Sequence, residues 1–492
     1  MKSYIKFIII FSILSFFIIP IYGQKKKQDI LEKTLSNYHL DISDLGYKPK
    51  TYWTGFPQDI PYKFLAFDDL FAEPLKMYDY TKTISTSVDI CLSSQYIEKK
   101  NSFLYSTVYF AAISKHIGGF RGFPPIHRTK NKMEDSFIKS LTQISKIYKY
   151  HHPNRNKRPS YNREAYNELP LPISDAIAEL IFHISTAYHW QQIAIRDLDT
   201  NKMKSVFSTR DFGFTQTDAL KYHPEFDDCA QLLDKESMFY SSSKIIAAVD
   251  FFRFDLDSIL SNNDYELSHL KIEIPTPLGA IIINGSMDNE YVGNKPYLLI
   301  IDLGGNDSYN NSVAATSSIH HPLSIVIDYA GDDIYNNENA DLLSQGSAIF
   351  GTGILFDMGG NDQYKSINYS QGLGVFGLGL LCDLNGDDSY AMENSGQGCG
   401  YFGIGLNFDV SGDDTYYIFG DGQGMGGVGG VGILANHSGN DLYHAESDAS
   451  KCKERADYHS KDKIIQNNAQ GAGMGRRGDL SDGHNWAGGI GA

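Results

Sequence analysis

Six stretches decide the reading of this chain: DLGGNDSY (302–309), DYAGDDIY (328–335), DMGGNDQY (357–364), DLNGDDSY (383–390), DVSGDDTY (409–416) and NHSGNDLY (436–443). Their starts are 26, 29, 26, 26 and 27 residues apart. In every copy the fourth position is Gly, the fifth Asn or Asp, the sixth Asp and the eighth Tyr. A near-constant period of this size is the signature of a solenoid, in which each repeat is one supersecondary unit stacked on the last. A second element keeps the same beat: QGSAIFG from Gln345, QGLGVFG from Gln371, QGCGYFG from Gln397 and QGMGGVG from Gln423.

Just before each motif, residues two places apart are apolar: Leu299/Ile301/Leu303, Ile325/Ile327/Tyr329, Ile354/Phe356/Met358, Leu380/Cys382/Leu384 and Leu406/Phe408/Val410. Alternation with period two predicts a half-buried strand with these columns inward. The first Asp of each motif falls between the last two, so it is expected to point outward. The Gly-Asn/Asp-Asp that follows reads as a turn, because glycine reaches positive φ and short carboxylates and amides bond local backbone. One strand and turn per 26 residues predicts parallel coils, with an antiparallel sandwich as runner-up that leaves the period unexplained. Upstream, from 61 to 265, glycine is sparse and helical spacing recurs, clearest in SDAIAELIFHISTAYHWQQIAIRDLD (174–199). The fold class is therefore α+β and multi-domain: a mainly helical region over 61–265, then a parallel β-solenoid over 266–492 with coils of about 26 residues. The helices are expected to cap the first coil and shield its strand edges.

Acid is concentrated with the repeat. The chain has 492 residues and a formal charge of −16, yet residues 302–443 hold eighteen Asp or Glu against a single Lys, Lys365. That stretch carries −17 and leaves the remainder at +1; it also holds 28 of the 46 glycines. A chain so charged is a poor partner for nucleic acid, which is bound through clustered Lys and Arg. Stacked coils bring Asp307, Asp333, Asp362, Asp388, Asp414 and Asp441 into one column and Asp302, Asp328, Asp357, Asp383 and Asp409 into another. Carboxylates about 4.8 Å apart repel by roughly 0.9 kcal/mol in water and about 3.5 kcal/mol at an effective dielectric near 20. The cost is offset by turn N–H donors, by protonation or by cations. With the neighbouring Asp332, Asp387 and Asp413, these residues form the candidate metal set, and oxygen-only ligands of this kind suit Ca²⁺.

The Gly-Asn/Asp-Asp-x-Tyr element resembles the glycine-and-aspartate repeats of the calcium-binding RTX family, whose repeats wind a β-roll. The resemblance covers the six short motifs and implies Ca²⁺ as the cofactor. It departs in period, since that family repeats about every nine residues. The alternative is that the acids cap their own turns through local hydrogen bonds.

GLGVFG at Gly372, GCGYFG at Gly398 and GMGGVG at Gly424 each satisfy GxGxxG. They recur with the repeat and lead into strands, so they are not a dinucleotide fingerprint, which opens a helix and occurs once per domain. The Gln column above them is expected to form an amide ladder. In the helical region, Asp175, Glu179 and His183 are four apart and would share one helix face, as metal ligands or a general base must; the alternative is a solvated stripe with His183 partly buried. His151 and His152, before Pro153, read as loop. Cys91, Cys229, Cys382, Cys399 and Cys452 are odd in number and scattered, which argues against a disulfide framework; Cys382 takes an apolar place in the repeat and reads as core.

At the amino terminus Lys2 and Lys6 precede the apolar run Phe7–Tyr22 and then Gly23, the order of a secretory signal over 1–23, followed by an irregular linker over 24–60. The expectation is export to a periplasmic or extracellular site with no membrane insertion after cleavage, with a retained N-terminal anchor as alternative. At the other end, residues 445–469 read as a charged loop insertion, and WAGGIGA (486–492) matches the lead-in of a further coil whose acid turn does not follow. An incomplete coil there is expected, as in a truncated reading frame, or closed by self-association. The functional expectation is an exported structural or interaction protein with a rigid acidic surface for a protein or carbohydrate partner. The alternative is a polysaccharide-binding or polysaccharide-cleaving β-helix using paired Asp; near-duplicate acids in successive copies favour structure. Catalysis in the helical region is a third reading.

Overall fold

The computed structural model describes residues 32–42, 70, 73, 75–93, 103–109, 136–154, 159, 161–209, 224–293, 295–448, 467–473 and 490–491. The expected signal, most of the linker and most of the charged insertion lie outside the described residues. Among those described, no helix is long and apolar enough to cross a membrane. The chain forms two compact units, 1–54 with 66–80, and 55–65 with 81–492. In the first, residues 32–36 are helical. The second holds the repeat and the helices that pack on it.

The helices are α1 (Lys76–Leu92), α2 (Phe103–Val108), α3 (Ser136–His151), α4 (Leu171–Ala194), α5 (Thr200–Thr209), α6 (Pro224–Leu232) and α7 (Lys235–Ser261). Asp234 caps α7 by accepting the Ser237 N–H at 3.0 Å, leaving one fewer orphan donor in the first turn. The strands then wind a three-sided parallel solenoid. Its first sheet holds β1 (Lys271–Thr276), β2 (Gly279–Asn284), β4 (Tyr297–Asp302), β6 (Leu323–Asp328), β9 (Thr352–Asp357), β12 (Leu378–Asp383), β15 (Ile404–Asp409), β17 (Val431–Asn436) and β19 (Ile490–Gly491), in that order. The second holds β3 (Glu290–Gly293), β5 (Ser308–Asn311), β7 (Ile334–Asn337), β10 (Gln363–Ser366), β13 (Ser389–Asn394), β16 (Thr415–Gly420) and β18 (Leu442–Ala445). The third, short and glycine-rich, holds β8 (Ala348–Ile349), β11 (Gly374–Val375) and β14 (Gly400–Tyr401).

Coil-to-coil pairing is parallel and in register, which excludes the antiparallel sandwich. Asp383 pairs with Asp357 on one side and Asp409 on the other, and Tyr390 with Tyr364 and Tyr416. The single antiparallel partner in the first sheet is β1, folded back on β2. β2 pairs in parallel with β4, so the hairpin closes that edge, with α3 and the helical turn Arg163–Tyr166 packed against β1.

α4 to α7 lie along the flank of the coils, so the expectation that the helical region caps the first coil holds only for α3 and the turn Arg163–Tyr166. Ser242 of α7 bonds Thr352 of β9 through their hydroxyls at 2.8 Å, and Gln191 of α4 donates to the Phe350 carbonyl at 2.7 Å. Apolar residues of α4, α5, α6 and α7 and of the turn after α4, among them Ala194, Leu198, Val206, Phe226 and Met238, share one buried cluster with Ile349, Phe350, Val375 and Phe402 of the coils. Strands β4, β6, β9, β12 and β15 are consequently buried at every residue. That double burial also corrects the predicted strand phase. The column of Thr352, with Ile354 and Phe356, turns toward α7. The alternate column, Ile300, Val326, Leu355 and Leu381, packs inside the solenoid against the repeat tyrosines. The first Asp of each motif belongs to this interior face.

Candidate functional site: two buried aspartate columns

Ten of the fourteen candidate acids are inside the protein: Asp302, Asp328, Asp357, Asp383 and Asp409 are 0 % exposed, and Asp307, Asp333, Asp362, Asp388 and Asp414 are at most 2 % exposed. Asp332, Asp387 and Asp413 are exposed and Asp441 is half-buried. The expected acidic outer ladder is thus an interior one, and the outward placement of the first Asp is overturned.

The first column is held by donors from two directions. Within its own coil, Oδ1 accepts the backbone N–H two residues on: Gly304 for Asp302, Ala330 for Asp328, Gly359 for Asp357 and Asn385 for Asp383, at 3.0 to 3.2 Å. From the preceding coil, Oδ2 accepts a tyrosine hydroxyl. Tyr291 donates to Asp302 and Tyr309 to Asp328; Tyr335 donates to Asp357 at 2.7 Å, Tyr364 to Asp383 at 2.6 Å and Tyr390 to Asp409 at 2.7 Å. The rings stack from Tyr291 to Tyr443, with centroids 4.5 to 4.8 Å apart and planes within 10°. Each tyrosine therefore adds an apolar ring to the interior and a hydroxyl to the next acid.

The second column staples turn to turn. Oδ1 of Asp333 accepts the Asp307 N–H, Oδ1 of Asp362 that of Asp333, Oδ1 of Asp388 that of Asp362 and Oδ1 of Asp414 that of Asp388, at 2.6 to 2.8 Å. The fifth position braces in the opposite sense: the N–H groups of Asp332, Asn361, Asp387 and Asp413 donate to the side chains of Asn306, Asp332, Asn361 and Asp387 one coil back. The turns pack so closely that a Cβ on Gly386 would stand 1.6 Å from the Gly360 carbonyl oxygen, which makes the fourth position glycine.

Oδ2 of Asp307, Asp333, Asp362 and Asp388 receives no N–H or O–H donor from a third group. Across the turn the second column faces the first: carboxylate oxygens of Asp302 and Asp307, Asp357 and Asp362, Asp383 and Asp388, and Asp409 and Asp414 lie within 4.8 Å of each other. Two buried carboxylates so placed avoid mutual repulsion only with a proton or a cation between them. Burial, reinforced by neighbouring carboxylates, pushes these acids up: Asp302 to about 6, Asp333 and Asp388 to about 7, Asp307 to about 8 and Asp409 to about 9. Asp362 is pushed up to about 10, and Asp328 and Asp383 are raised by the same cause. The sixth copy shows the alternative to a proton. Asn436, in register with Asp409, donates its Nδ2 to Asp414 Oδ2 at 2.7 Å. An amide donor stands where the other copies place a second acid.

Four trios of carboxylate oxygens lie within 4.8 Å of one another and could hold a metal ion: Asp302/Asp307/Asp328, Asp333/Asp357/Asp362, Asp362/Asp383/Asp388 and Asp388/Asp409/Asp414. The donor set fits Ca²⁺ less well than the spacing does. Calcium takes six to eight oxygens at 2.3–2.6 Å, whereas most oxygens in these columns already face an N–H or O–H. One open oxygen per coil matches one proton.

Sequence reading missed the repeat tyrosine as a donor, though a signal was present: the eighth position is Tyr in all six copies and never Phe. The Gln column is not an amide ladder either. Gln371 Nε2 donates to the carbonyls of Tyr364 and Ala391, and Gln397 to those of Tyr390 and Tyr417, so each amide clips two successive coils. In α4, Asp175 accepts the Ser136 hydroxyl at 2.5 Å and His183 is buried rather than part of a solvated stripe. Among the described residues, Asp175, Glu179 and His183 do not form a converging ligand group. Cys382 is a buried free thiol, as its place in the repeat implied.

No protein-family model matches the chain, no curated protein matches it, and no solved structure matches it.

Proposed function

We propose that the chain is an exported scaffold whose solenoid offers a rigid surface to a protein or carbohydrate partner, its repeated acids turned inward and held by shared protons. The observation that carries this reading is where the repeated side chains go. The first Asp, the sixth Asp, the Tyr and the Gln are each bonded to an adjacent coil. Chemistry repeated in every copy is therefore engaged in stacking, and the catalytic alternative is left with the rim acids Asp332, Asp387 and Asp413. Export rests on the order of charge and apolar residues over 1–23.

Calcium in the columns is the second reading, favoured by the four oxygen trios. Both readings supply positive charge to the buried pairs, one unit per proton and two per calcium ion. They part on what removes it.

N-terminal sequencing of the protein from fractionated producing cells tests the export claim: a chain beginning at Gln24 outside the cytoplasm supports it, and an uncleaved cytoplasmic chain contradicts it. Incubation with neutral and acidic polysaccharides tests scaffold against enzyme. Binding without new reducing or unsaturated ends is expected; cleavage abolished by Asp387→Asn or Asp413→Asn would replace this reading with the enzymatic one.

A further inference from the structure

A second group of titratable side chains gathers away from the columns, where the end of α3 meets α4. His151 is the last residue of α3 and His189 stands five residues before the end of α4. Their ring nitrogens, His151 Nε2 and His189 Nδ1, face each other at 2.9 Å, with ring centroids 5.0 Å apart and planes tilted by 44°. Both rings are half-buried. The Tyr150 ring stands edge-on to His151 at 5.0 Å and 6.0 Å from His189, and the Tyr188 ring is edge-on to His151 from within. Beside them His152 Nε2 lies 2.9 Å from the Tyr188 hydroxyl, and the His320 ring, from the segment between β5 and β6, comes within 6.3 Å of His152.

Sequence position hid this group, because His151 and His152 lie in a polar stretch and His189 falls off the face of Asp175, Glu179 and His183. Helix packing brings 151 and 189 nose to nose. A neutral imidazole is the commonest metal ligand in proteins, through either ring nitrogen. Nitrogens bound to one tetrahedral ion at about 2.0–2.1 Å stand about 3.3 Å apart, a few tenths of an ångström beyond the separation here. Rotation of either ring supplies the difference.

We propose that His151 and His189 form a two-nitrogen site for a divalent late transition metal, with Cu²⁺ bound tightest and Ni²⁺ and Zn²⁺ more weakly, the order set by the ion. Its remaining coordination positions are open to water or to a donor from a bound partner. The site is independent of the aspartate columns, whose all-oxygen chemistry suits hard cations.

The test uses the untagged full chain and Cu²⁺ alone, followed by electron paramagnetic resonance. One equivalent with hyperfine structure from two nitrogens is expected; His151→Gln and His189→Gln should each weaken binding at least tenfold, and His437→Gln should leave it unchanged. A reading on the wild-type protein covers variants that fold poorly: Cu²⁺ should protect both His151 and His189 from carbethoxylation, measured by peptide mass spectrometry. Unprotected rings, or a double variant that binds Cu²⁺ as tightly as the wild type, would overturn the proposal.

Discussion

The carboxyl group of Asp388 summarises the chemistry of the interior. Oδ1 takes a backbone N–H from one neighbouring coil, and Oδ2 faces Asp383 across its own turn. An asparagine there keeps the acceptor and replaces the shared proton with an N–H. Asp388→Asn should therefore leave the melting temperature unchanged near pH 4 and raise it at pH 9, whereas Asp388→Leu should lower it at both. The acid is pushed up to about 7 from the ordinary value near 3.8, so each pH unit between about 4 and 7 adds about 1.4 kcal/mol of difference between acid and amide, and that difference then persists to pH 9. Tyr364 gives the complementary case. Its hydroxyl donates to Asp383 at 2.6 Å inside a buried stack. Tyr364→Phe keeps the ring and orphans a buried carboxylate oxygen, which should cost about 1–3 kcal/mol by chemical denaturation.

At the scale of the element, the turn before the third sheet sets how tightly a coil closes. Gln371 adopts φ of 51° and Gly372 φ of 80°, and a Cβ on Gly372 would stand 1.9 Å from the Leu406 carbonyl oxygen. Gly372→Ala should destabilise by about 3 kcal/mol or more, through both strain and collision. Gln371→Ala removes one bond within its own coil and one to the next without touching that backbone and should cost about 1–2 kcal/mol; comparing their denaturation midpoints separates closure from clipping. These elements also show what was legible. Period, turn and parallel stacking could be read because Asp, Gly and Tyr recur at fixed places. The phase of the first-sheet strands could not, because Leu299 and Ile300 are both apolar and both buried, one side by helices and the other by the tyrosine stack. Alternation distinguishes a wet face from a dry one, not two dry faces. Taking the Leu299 face as the inward one places the first Asp of each motif at the surface, whereas it belongs to the Ile300 face.

For the whole molecule, the helices are a second wall of the solenoid and the acids are its internal lattice. No run of residues in α4 or α7 announces which surface of the coils it will cover; Gln191 reaching Phe350 spans 159 positions. Gln191→Ala should loosen that wall, and amide hydrogen exchange should rise in α4 and β8 before the second sheet. The lattice predicts a pH response of definite sign. Acids whose folded-state pKa is raised above the ordinary value near 3.8 hold protons in the native state that the unfolded chain has lost. Their contribution is fully present below about pH 4 and is lost as pH rises through about 6 to 10, the range spanned by Asp302 and Asp362. A calcium-held lattice behaves oppositely, since protons compete with the ion for the same oxygens.

The most direct measurement is thermal unfolding of the purified protein with a chelator present, from pH 9 down to pH 5. Shared protons predict a melting temperature that rises by at least about 3 °C on acidification and does not respond to added calcium at pH 8. A melting temperature that falls on acidification and is restored at pH 8 by calcium would contradict the account.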